Sequence, residues 1–121
     1  MKRFDLSGTL MNRDTELARF TIEDGFPTAF EALSPDPLAY PYEMERHPNG
    51  NTLINALLER VVPETRQGLL EDLQAVGIQS YDLTAILTHQ NASSLHDPFW
   101  VRFADGPQTW RQLRDKLGFL S

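Results

Sequence analysis

The chain has 121 residues, 40% of them hydrophobic and 10% aromatic, with a formal charge of -6 and no cysteine. That length predicts one domain able to bury an apolar core without staples, and the missing thiols exclude disulfides and thiolate metal centres. No apolar run approaches the roughly 20 residues needed to cross a bilayer, and Met1-Lys2-Arg3 leads into alternating polar residues, so the expectation is a cytoplasmic protein with no membrane partner.

In chain order, residues 1–24 read as a β-hairpin. Phe4, Leu6 and Leu10 alternate with Asp5, Ser7 and Thr9, and Ala18, Phe20 and Ile22 alternate with Arg19 and Thr21. Asn12-Arg13-Asp14 supplies the turn, and Gly8 marks a candidate bulge. Residues 25–50 hold five of the eight prolines, which predicts a wrapping loop with one helical turn near Thr28 to Leu33 and no long helix or central strand. Phe26, Phe30, Leu33, Leu38, Tyr40 and Tyr42 make this loop too apolar for a disordered linker, so it is expected to lie on the core.

Helical periodicity occupies residues 51–90. Asn51 or Thr52 is placed to cap a first helix whose apolar face is Leu53, Ile54, Leu57, Leu58, Val61 and Val62. Pro63 then suits the first turn of a second helix, with a stripe of Leu69, Leu70, Leu73 and Val76 and with Gly77 at its end. A third, carrying Leu83, Ile86 and Leu87, opens near Ser80 or Asp82. Residues 91–121 close the chain with a polar turn, a strand at Phe99 to Phe103 able to join the hairpin, and a last helix with Trp110, Leu113 and Leu117 on one face. The predicted class is α+β: an N-terminal hairpin and a third strand packed on a cluster of three to four short helices.

Charge and motifs narrow the function. Glu23, Asp24, Glu31, Asp36, Glu43 and Glu45 stand in a stretch without a single Lys or Arg, while the acids elsewhere balance the bases. The second and third helices have helix-turn-helix spacing, yet Gln79 to Asn91 contains no Lys or Arg to meet phosphates, so a plain helical hairpin and no nucleic-acid partner are expected. His47, His89 and His96 lack ligand spacing, Ser94, His96 and Asp97 crowd one local turn where a hydrolase triad cannot line up, and the glycines form no phosphate cradle. No catalytic, metal or cofactor-binding residue is therefore assigned.

One resemblance is carried by several short motifs. Leu10-Met11-Asn12, Ala18-Arg19-Phe20, Val62-Pro63-Glu64-Thr65-Arg66, Leu73, Gly77-Ile78, Ser80, the run from Ser94 through His96-Asp97-Pro98-Phe99-Trp100 to Val101, and Trp110 succeed one another in an order that resembles the N-terminal region preceding the kinase-like domain in some HipA-like proteins of Firmicutes. In such proteins the kinase residues lie in the later domain, so the resemblance implies no catalytic or nucleotide-binding residue here. It covers most of the chain outside Gly25 to Gly50, and departs from the pattern in having Ser93-Ser94-Leu95-His96-Asp97 where Leu-Ser-Leu-Ser-Asp is usual.

The expectation drawn from all this is a non-catalytic protein-interaction or regulatory module with a protein partner. Its candidate partner-binding residues are Tyr40, Tyr42, Glu43 and Glu45 in the acidic loop, joined by Trp100 and Arg102 if that strand face is uncovered. Two competing readings are an acidic inhibitor or antitoxin-type binder of a basic site, and a small enzyme in which scattered carboxylates, or a carboxylate with His47 or His96, converge in a pocket.

Overall fold

Period-2 alternation in the first 23 residues produces the strands it predicts, and two further strands extend them. The computed structural model describes residues 3–44, 47–61, 65–94 and 97–117. Strands β1 (Leu6–Asn12), β2 (Thr15–Glu23), β3 (Phe26–Ala32) and β4 (Phe99–Arg102) form one antiparallel sheet in the order β3-β2-β1-β4. Helices α1 (Gly50–Leu58), α2 (Leu69–Ala75), α3 (Leu83–His89) and α4 (Trp110–Leu117) complete the α+β architecture.

The sheet is covered on one face and partly covered on the other. Leu6, Leu10, Phe20, Ile22 and Val101 meet Leu53 and Leu57 of α1 and Leu83 and Leu87 of α3 in the main core, together with Tyr40 and Met44. On the opposite face Met11 and Trp100 pack with Leu113 of α4, with Trp110 and Leu117 around them. A separate small cluster of Leu69, Leu73, Ile78 and Ile86 joins α2 to α3, which is the helical hairpin expected from the spacing.

Several local readings change. Residues 26–32 are a strand, not a loop with a helical turn: Pro27 is tolerated because β3 lies at the sheet edge, where a missing donor interrupts no ladder on its outer side. The bulge in the hairpin falls between Leu10 and Met11, not at Gly8. Gly8 instead permits close approach of β4, since a Cβ there would sit 2.7 Å from the Arg102 carbonyl oxygen. Helix α1 is capped by Asn49, which accepts from Asn51 and Thr52 while Thr52 Oγ1 accepts from the Asn49 N–H, and it ends at Leu58 short of Val61. Val62 and Pro63 lie outside the described residues, and α2 begins six residues past Pro63, after Gly68 at φ +76°. It ends as expected at Gly77, where φ is +85° and Ile78 N–H reaches back to the Leu73 carbonyl at 2.8 Å.

The end of α3 organises the C-terminal part of the fold. Asn91 takes φ +53°, buried, and Ala92 N–H donates to the Leu87 carbonyl at 2.8 Å, closing the helix. Val101 N–H then donates to the Asn91 carbonyl at 2.8 Å, and Asn91 Nδ2 donates to the Val101 carbonyl at 3.0 Å. Lys116 Nζ of α4 donates to Asn91 Oδ1 at 2.7 Å. One side chain thus joins α3, β4 and α4. Asn91→Ala leaves the Val101 carbonyl unpaired in the interior and places a Cβ-bearing residue without side-chain compensation in the left-handed region. We expect a loss of about 3 kcal/mol in urea unfolding, with Asn91→Gly losing less because its backbone accepts that region; equal losses would contradict the backbone part of this account.

Candidate functional site

The acidic segment after β3 is a built structure, not a slack linker. Leu33 and Ser34 N–H both donate to the Leu17 carbonyl, at 2.7 and 3.1 Å, and Asn12 Nδ2 donates to the Ala39 carbonyl at 3.3 Å. The chain makes two short 3-10 turns, Pro37–Ala39 leading up to the second tether and Tyr42–Met44 beyond it. Asp36 Oδ1 accepts from Leu38 N–H at 3.0 Å, an aspartate turn that sets the first of them.

Tyr40 and Tyr42 have opposite fates. Tyr40 is buried in the main core, its hydroxyl aimed at the Leu17 and Ser34 carbonyls at 2.8 and 2.9 Å, so the expectation that it forms a partner surface is corrected: it is the loop's anchor. Met44 is buried with it. Tyr42, between these anchors, is 85% exposed, and Leu38 is 76% exposed. Glu43 is exposed beside Tyr42, while Glu45 lies outside the described residues. The result is an aromatic and an aliphatic side chain held outward on a firmly attached loop with acids around them.

Trp100 has no exposed surface. Its indole N–H donates to the Arg13 carbonyl at 2.7 Å and its ring lies in the cluster under α4, so the strand face it occupies is covered and it is not available to a partner. The covering helix is held by the hairpin turn itself, where Asp14 Oδ1 accepts from Trp110 N–H at 2.7 Å. Arg102, two residues on, is partly exposed and pairs with Glu16.

A polar cluster that no local pattern announces lies at the end of α1. Arg60, with only 8% of its side chain exposed, places Nη2 2.6 Å from both carboxylate oxygens of Asp97 and its guanidinium carbon 5.8 Å from the centre of the Phe99 ring. Asp97 Oδ1 also accepts from Phe99 N–H at 3.0 Å, which fits its expected role as a turn group, and Gln90 Nε2 donates to the Arg60 carbonyl at 3.2 Å. Arg60 Nη1 is buried without a hydrogen-bond partner among the described residues. The cluster clasps α1 to the start of β4.

The uncovered half of the outer sheet face forms a shallow concavity of about 480 Å³ lined by Ser7, Thr9, Arg19, Thr21, Ala29 and Glu31. Its one carboxylate, Glu31, is paired with Arg19 at 3.3 Å. That lining brings no two carboxylates together, and His47 is exposed elsewhere; His96 lies outside the described residues. Among the described residues no group of three or more His, Asp or Glu side chains could hold a metal ion. Comparison with models of known protein families, with curated proteins and with solved structures gave no match.

Burial raises the pKa of the Tyr40 phenol above its ordinary value. A group whose folded pKa exceeds its unfolded one contributes stability that is complete below the unfolded pKa, about 10 for tyrosine, and that fades as pH climbs through the folded value. Tyr40→Phe is expected to cost about 1 to 2 kcal/mol at neutral pH through loss of the one hydroxyl proton shared between the Leu17 and Ser34 carbonyls. In melts between pH 8 and pH 11, on the order of the phenol's range, the variant should lose less stability than the parent; parallel curves would count against a buried phenol.

Proposed function

We propose that the chain is a non-catalytic protein-interaction or regulatory module that docks through the 36–44 loop, a counterpart of the N-terminal region of HipA-like proteins. The observation that carries this reading is Tyr42: a tyrosine 85% exposed between two buried anchors, Tyr40 and Met44. A large side chain held outward on a fixed loop loses little conformational freedom on binding, which is what makes aromatic residues effective interface anchors. Leu38 and Glu43 extend the same surface, and Arg102 stands at the rim of the outer sheet face. The acidic balance of the chain favours a protein partner over nucleic acid or an anionic membrane surface.

A second reading, an acidic inhibitor of a basic site, is favoured by the clustering of Glu23, Asp24, Glu31, Asp36 and Glu43. The two differ in salt dependence, because apolar docking persists where charge pairing is screened. Capture experiments with the tagged chain in lysate of its source organism, at low and moderate salt, separate them. The docking reading expects one protein retained at both salt concentrations, and at least about tenfold less of it on Tyr42→Ala, the loss of a typical interface anchor. Retention lost at moderate salt shifts the assignment to the inhibitor; equal retention by Tyr42→Ala, or none by the parent, overturns the proposed surface.

A further inference from the structure

The sheet has two edges, and they are treated differently. On β4 the outward-facing backbone of Val101 is already paired with Asn91 in both directions. On β3 the outward groups from Ala29 onward have no backbone partner among the described residues. Leu33 N–H donates to the Leu17 carbonyl, and the register sets Arg19 opposite Glu31 and Thr21 opposite Ala29. Hydrogen bonding in an antiparallel ladder alternates, so Ala29 and Glu31 bond inward to β2 while Phe30 and Ala32 direct their N–H and C=O away from the sheet. Among the described residues, no backbone hydrogen bond from outside the sheet reaches residues 26–32.

The first part of this edge is blocked. Pro27 lacks a donor and packs against Gly50 at the start of α1, and the register slips beside it, between Thr21 and Ile22 of β2. From Ala29 onward neither device operates. The flanking charge says what fits there. Among the described residues Asp24 pairs with Arg3 and Glu31 with Arg19, both at exposed positions, whereas Glu23, Asp36 and Glu43 have no ion pair. A second copy of the chain would bring the same acids against themselves and is disfavoured; an extended segment rich in Lys or Arg is complemented.

We propose that the outer edge of β3, from Ala29 to Ala32, accepts an extended basic segment of a partner protein as a fifth strand of the sheet. Main-chain bonds to Phe30 and Ala32 would supply register and the acids would supply charge selection. This rests on the reading of the chain as an interaction module and names the chemistry of its partner.

The test uses the full chain and a fluorescein-labelled short peptide of alternating lysine and valine, monitored by anisotropy. Three comparisons are made: the same peptide N-methylated at alternate residues, a glutamate–valine peptide, and the variant Ala32→Pro. Ala32→Pro deletes an N–H that no strand of the fold uses, so its melting transition should persist. Saturable binding that weakens at least about tenfold with N-methylation and with Ala32→Pro, and that is lost with the glutamate–valine peptide, is the expected result. Binding indifferent to N-methylation would mean charge attraction alone and would overturn the proposal, as would no binding. A captured partner that depends on Tyr42 yet is retained by Ala32→Pro would overturn the edge proposal while leaving the module reading intact; N-methylation keeps the test decisive should Ala32→Pro fail to fold.

Discussion

A four-stranded open sheet must do something with two rows of unpaired backbone groups, and the rest of this structure depends on how one of those rows is closed. Asn91 closes it. Held at φ +53° by the end of α3, it offers β4 a carbonyl and a side-chain amide where a fifth strand would otherwise lie, while its remaining oxygen receives Lys116 of α4. A four-residue strand with one neighbour would be marginal by itself. Paired on both sides it becomes a firm wall of the main core through Val101 and a firm floor for α4 through Trp100.

The consequences run toward the surface. With α4 fixed over Met11 and Trp100 at one end, the outer sheet face is left open at the other, where Ser7, Thr9, Thr21, Ala29 and the Arg19–Glu31 pair stand. With α1 and α3 filling the inner face, the chain leaving β3 must cross the core's margin, and Tyr40 and Met44 pin it there. Tyr42 and Leu38 are exposed because their neighbours are spent on attachment. The open β3 edge and the projecting loop are thus contiguous in the chain and arise from the same arrangement, which is why both are placed on one proposed interaction region.

How far the sequence foretold this depended on whether the deciding force was local. The hairpin, the C-terminal helix and the Gly77 and Asp82 boundaries rest on alternation, periodicity and caps, and all were legible. Strand β3 was not, because Pro27 reads as a breaker until one knows that the strand lies at an edge. The end of α1 and the start of α2 slipped for a related reason: apolar periodicity runs on through Val61, but α1 ends at Leu58 with its cap at Glu59, and α2 starts at Leu69 after the left-handed Gly68. Tyr40 and Tyr42 are identical in composition and differ only in which tertiary carbonyls they meet. Arg60 and Asn91 gave no signal at all, since a polar residue in a turn announces nothing of the distant carboxylate or carbonyl that makes its burial tolerable.

The central claim is that one sheet edge is closed from within and the other is open, and amide hydrogen exchange read residue by residue by NMR tests it directly. Val101 N–H points away from its only neighbouring strand, yet the account predicts strong protection because Asn91 receives it; Phe30 and Ala32 N–H, at the opposite edge, should exchange far faster than the inward-bonded Ala29 and Glu31. Rapid exchange at Val101, or protection at Phe30 and Ala32 equal to that of Ala29 and Glu31, would contradict it.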